Sequence, residues 1–243
     1  MRSAIISLLA VVAFPGLSVA AGGGAALESA NINLSNQASL QRGARNFVNY
    51  CAGCHSAQYV RYNRLAQDIG LSEDQMVTNL MWAAEKPHET MEIAMPASDA
   101  ERWFGVAPPD LSLIARARGK DYLYTFLKGF YLDESRPAGV NNIALPGAAM
   151  PHVLWPLQGL RRPIVHTDET GHEAISGFET VLDGQMSEAQ YDAFVLDLVN
   201  FLVYIAEPVK LERERLGIWV LFFLLILLLF SYLLKQEYWK DVH

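Results

Sequence analysis

The chain has 243 residues, of which 51% are apolar and 19% charged, with a formal net charge of −7. That balance excludes a nucleic-acid backbone binder, which needs clustered Lys and Arg. Two cysteines three residues apart exclude a disulfide scaffold, because a bridge closing so short a loop constrains little of the unfolded chain.

The chain opens with Met1 and Arg2, an apolar run from Ala4 to Phe14, then Pro15-Gly16 and Ser18-Val19-Ala20. A charged start, a short apolar stretch and a small-residue cleavage site predict a secretory signal peptide over residues 1–21. Export would place a domain of residues 22–209, about 190 residues and enough for one core, on the periplasmic side of a bacterial inner membrane.

A first helix is predicted from Ser39 as N-cap. Leu40, Ala44, Phe47, Val48 and Cys51 fall on one stripe. Gly43 shares that face and weakens the helix, which predicts close contact with another helix. Ser72 and Gln75 form a capping box ahead of Met76, Val77 and Leu80. Pro109-Asp110 predicts a short helix ending before Gly119, and Asp121 to Leu127 predicts another. The stretch from Phe130 to Leu157 reads as loop, and Ile164 to Phe178 as a small hairpin. Ser187 and Gln190 cap a long helix from Glu188 to Ala206, ended by Pro208. This helix is the expected partner at Gly43 and Phe47.

Leu216 to Leu234 is 19 residues without a charge, about 28 Å as a helix and close to the hydrocarbon thickness of a bilayer. Trp219 lies near one end, and Tyr232, Tyr238 and Trp239 near the other, as interfacial aromatics do. Residues 210–243 are therefore expected to be one transmembrane anchor with a short cytoplasmic tail. Lys and Arg flank both ends, so orientation follows from the signal peptide rather than from charge.

Cys51-Ala52-Gly53-Cys54-His55 carries the chemistry. Two thiols on one helical turn can add across the two vinyl groups of a haem, and the adjacent imidazole then reaches the iron. A thioredoxin-like pair belongs beside a strand–helix unit, whereas the residues before Cys51 look helical. A structural zinc site needs four ligands, and no second Cys pair exists. The motif predicts one covalently attached haem c with His55 as proximal ligand. A second ligand would close the iron for electron transfer. Met91, Met95, Met150, His88, His152 and His166 are all available, and spacing does not select among them.

Four stretches together resemble the cytochrome c1 family, the haem subunits of cytochrome bc1 complexes. They are Arg42-Gly43 through His55-Ser56 with Tyr59, Arg61 and Tyr62; Pro108 to Gly119; Leu145 to Pro151; and Ala206-Glu207-Pro208 before a single C-terminal span. The resemblance covers nearly the whole mature chain. It implies a mainly α, class I-like cytochrome c fold with insertions plus one C-terminal transmembrane helix. It implies Met150 as the distal ligand beside His55, Arg118 and Tyr122 near a haem propionate, and Pro108 and Pro109 packed on the haem. It also implies cytochrome b and Rieske iron–sulfur partners, a dimeric complex in membrane lipid, and a cytochrome c-type electron acceptor. The chain departs from family members in three ways. Its centre is short, Lys120-Asp121 sits one residue tighter after Gly119, and His152 stands where others place a small or apolar residue. No bond of a substrate is made or broken by such a subunit alone.

Three other readings would be an anchored c-type cytochrome feeding an oxidase or reductase directly, a peroxidase with an open haem position, and a purely structural assembly subunit in which Cys51 and Cys54 carry nothing. Acidic residues from Asp168 to Asp197, uninterrupted by Lys or Arg, suggest a surface that steers a basic acceptor.

Overall fold

The computed structural model describes residues 26–167 and 173–241. The signal-peptide segment lies outside the described residues, as do Asp168, Glu169 and His172.

The core is built on two crossing helices. Helix α1, Gln37–Tyr50, begins at Asn36, whose side chain accepts the Ser39 N–H at 3.1 Å. Asn36 thus takes the capping role expected of Ser39. The Ser39 hydroxyl is used instead between helices, donating to Asp197 Oδ1 at 2.6 Å. The long helix near the C-terminal end of the domain, Glu188–Ala206, starts at the predicted Ser187/Gln190 capping box. The two cross where expected. A Cβ on Gly43 would overlap the Asp197 carbonyl oxygen and stand 2.6 Å from Phe201 Cβ, so only glycine allows this approach. Below the crossing, the Phe47 and Phe201 rings lie 5.5 Å apart, both fully buried.

Smaller elements surround this pair. Strand β1, Ala57–Arg61, pairs antiparallel with β2, Thr90–Met91. Between them lie α2, Tyr62–Ile69, and α3, Glu73–Asn79, the latter opened by the Ser72/Gln75 box. Helix α4, Ala97–Phe104, is followed by the Pro108-Pro109 segment.

The next helix, α5, spans Ile114–Arg118 and starts later than Pro109-Asp110 suggests. Asp110 explains the delay: its carboxylate accepts the Ser112 and Gln58 N–H groups, each at 2.9 Å. That pins the segment as a turn against β1. Gly119, at φ +86°, separates α5 from α6, Lys120–Lys128. The Tyr191 hydroxyl donates to the Leu127 carbonyl at 2.8 Å, fastening α6 to the long helix.

The stretch expected to be loop contains an antiparallel pair, β3 Phe130–Leu132 and β4 Val140–Asn142, and a short helix α7, Trp155–Gln158. The predicted hairpin is longer than its apolar centre indicated, with β5 at Gly159–Thr167 and β6 at Glu173–Asp183. The helix Glu188–Ala206 is α8, and α9 follows at Lys210–Tyr238.

Among the described residues, α8 and α9 are both long and apolar enough to cross a membrane. Most of α8 is buried against the rest of the protein, whereas no residue of α9 is buried. A mainly α-helical fold with an uncovered apolar C-terminal helix supports membrane association.

Candidate haem-binding site

The site begins at the end of α1. The helical path runs on through the motif: the Cys51 N–H bonds the Phe47 carbonyl at 2.8 Å, and the His55 N–H bonds the Cys51 carbonyl at 2.9 Å. Both thiols therefore stand on one turn, and both line the same cavity. Neither cysteine is in a disulfide. Burial, with Cys54 alongside, pushes the Cys51 thiol up to about 12. Among the described residues no group of three or more His, Cys, Asp or Glu side chains could hold a metal ion, so the pair lacks the companions of a structural zinc site.

His55 is oriented by the cavity wall. Its Nδ1–H donates to the Pro109 carbonyl oxygen at 2.8 Å. A carbonyl only accepts, so the proton sits on Nδ1 and the Nε2 lone pair is free to bind a metal. Burial holds the imidazole pKa below its ordinary value, against the Pro109 bond and nearby Asp110. The neutral ligand form is thereby favoured.

The cavity has a volume of about 320 Å³ and an almost wholly apolar wall. Pro108, Pro109 and Leu111 form one part of that wall, and Ala148, Met150 and Pro151 another. Arg118 and Tyr122 also line it, with the Arg118 guanidinium 5.5 Å from the centre of the Tyr122 ring. Every sequence-predicted site residue, Cys51, Cys54, His55, Pro108, Pro109, Arg118, Tyr122 and Met150, thus meets at one cavity. The tighter spacing at Lys120-Asp121 does not remove Tyr122, because α6 starts at Lys120 and turns Tyr122 inward. The rival ligands lie elsewhere. Met91 is buried in β2, while His88 and His166 are exposed. Met95 and His152 do not line the cavity.

Sequence reasoning missed Phe126, which stacks on Tyr122 with ring centres 6.1 Å apart and also lines the cavity. The signal was present, since Phe126 follows Tyr122 by four residues on one helix face. It missed as well Leu198 and Leu202, where α8 closes the cavity floor.

Two thiols, an imidazole lone pair and a thioether in one apolar cavity, with a guanidinium beside it, fit haem c. The molecule is in the class of c-type cytochromes. The chain belongs to the Cytochrome C1 family, whose profile matches residues 29–242. It is 51% identical, over the full length of both chains, to the cytochrome c1 of Allochromatium vinosum. It is 46% identical, again over both full lengths, to a Nitrosomonas europaea protein named ammonia monooxygenase gamma subunit. A chain of a hyperthermophilic respiratory Complex III aligns with 84% of this chain and 77% of its own length, at TM-score 0.41 and 16% identity. The protein is an electron-transfer subunit of a bc1-type quinol-oxidoreductase complex. Membership of the family supports association with cytochrome b- and Rieske-type partners.

Proposed function

We propose that this chain accepts single electrons from a Rieske iron–sulfur subunit and passes them to a cytochrome c-type acceptor on the periplasmic side of the inner membrane. The carrying observation is that the free Nε2 of His55 and the thioether of Met150 belong to one apolar cavity. When bound, haem c supplies an iron that alternates between ferric and ferrous states. Cys51 and Cys54 would hold it through thioether links, and His55 and Met150 would ligate its iron. Thioether and imidazole ligation together would favour the reduced state relative to two imidazoles. Arg118 is suited to pair with a propionate carboxylate, and Tyr122 braces the guanidinium through its ring face. Pro108 and Pro109 exclude water from one wall, and the Pro109 carbonyl fixes the His55 tautomer.

The domain of residues 22–209 is read as a class I-like cytochrome c fold with insertions, left outside the cytoplasm once the 1–21 signal peptide is removed. Residues 210–243 supply one membrane span and a cytoplasmic tail, and the chain functions in a dimeric assembly. Supporting this reading, α9 is unburied along its length while α8 is committed to the core.

Purification in mild detergent with haem spectra and subunit identification tests the reading. A covalent c-type haem should travel with a b-type cytochrome and an iron–sulfur protein. Isolation of the haem chain with an oxidase or other reductase instead would favour direct delivery and overturn the bc1 assignment. Rapid carbon monoxide binding by the native reduced protein would point to an open, peroxidase-like iron.

A further inference from the structure

The loop carrying Met150 is fixed differently on its two sides. Upstream, polar bonds hold it: the Gly147 N–H donates to Asn141 Oδ1 at 2.8 Å, and the Gly147 carbonyl accepts from Arg136 at 2.8 Å. Downstream, Pro151 has no N–H to offer, and the next side chain is His152. That imidazole is 6% exposed, with the Gln158 side chain and the Gly159 backbone beside it but no well-formed hydrogen bond to either ring nitrogen. Its flat face meets Phe130. The two rings lie 4.9 Å apart at an interplanar angle of 6°. Phe130 itself is buried and meets Phe126 edge-on at 5.2 Å, and Phe126 stacks on Tyr122. His152 therefore closes an aromatic row that runs from the Arg118 side of the cavity to the residue after Met150-Pro151.

We propose that His152 is a positioning residue for Met150: by stacking on Phe130 it holds the downstream end of the thioether-bearing loop against the cavity. A flat ring parallel to another ring, in a buried slot, fixes both the tilt and the height of its backbone. Met150 follows that backbone two residues away. The proposal rests on the reading of Met150 as the second axial ligand.

The test uses the full chain, matured with haem in its membrane complex. Three readouts follow the thioether–iron bond: the near-infrared sulfur-to-iron absorption of the oxidised protein, the midpoint potential, and carbon monoxide binding by the reduced protein. The parent protein should show the absorption and exclude carbon monoxide. His152→Ala should lose most of the absorption, lower the potential and admit carbon monoxide. His152→Phe, which keeps the stack without nitrogens, should retain all three parent properties. If His152→Ala fails to retain haem, His152→Leu fills the slot without a flat ring and should behave as predicted for alanine. Parent-like spectra and potential in the alanine or leucine variant would overturn the proposal, as would equal loss in His152→Phe. A parent protein without the sulfur-to-iron absorption would overturn the Met150 reading itself, and the proposal with it.

Discussion

Pro109 serves the site through its main chain. Its carbonyl decides which nitrogen of His55 is free, and the proline ring limits how far that carbonyl can rotate. A second residue-scale device lies at Asp121. Its carboxylate accepts the Ala30 N–H at 2.7 Å, while Lys120 donates to both the Ala30 carbonyl and Asp121. The Ala30 N–H bond, opposed by partial burial and helped by Lys120, holds the Asp121 pKa below the ordinary carboxylate value. A lowered folded-state pKa stabilises fully above the unfolded value of about 3.9 and is lost as pH falls through the folded value. The protection of the Ala30 amide relative to its intrinsic exchange rate should therefore fall on acidification below that value, and Asp121→Asn should remove the Asp121 contribution to that fall. At this scale the motif residues were legible because covalent haem chemistry demands a fixed spacing. Asn36 was not: two good capping residues stand three apart, and the choice depends on Asp197, far along the chain, drawing Ser39 away.

At the scale of elements, the α1–α8 crossing governs the core. Gly43→Leu should destabilise the domain by more than the ~1–3 kcal/mol usual for overpacking, because backbone as well as side-chain atoms of α8 block the added carbons. Thermal denaturation against the parent checks it, and an unchanged midpoint would contradict the close approach. Ser187→Ala removes the α8 cap and should cost about 1 kcal/mol, read from the same melts. Both helices were legible from their period, and α8 also from its Ser187/Gln190 box and its stripe of Tyr191, Phe194, Val195 and Leu198. The strands β3 and β4 were not, because Phe130–Leu132 and Val140–Asn142 are three residues each and carry no alternation. Their pairing depends instead on Asn142, fully buried, which donates to the Phe126 carbonyl at 2.7 Å. The start of α5 was misread for a similar reason, as Asp110 bonds forward and back instead of capping a helix.

Across the whole molecule, charge bears on the acceptor proposed above. Glu179 and Asp183 are exposed on β6 of an acidic chain. Electron transfer to a basic acceptor should slow as salt rises, because screening shortens the range of attraction. Stopped-flow rates against ionic strength measure it, and Glu179→Lys with Asp183→Lys should flatten the dependence. Rates indifferent to salt in the parent would dismiss the steering role.

The join between α8 and α9 has its own consequence. Only Glu207, Pro208 and Val209 separate the two helices, and Arg213 of α9 folds back onto Glu207. Three residues reach about 10 Å at full stretch, and the proline and the ion pair shorten the usable slack. A domain joined this way has no leash on which to swing relative to α9. If α9 is the membrane anchor proposed above, the domain stays at a fixed height over its own span.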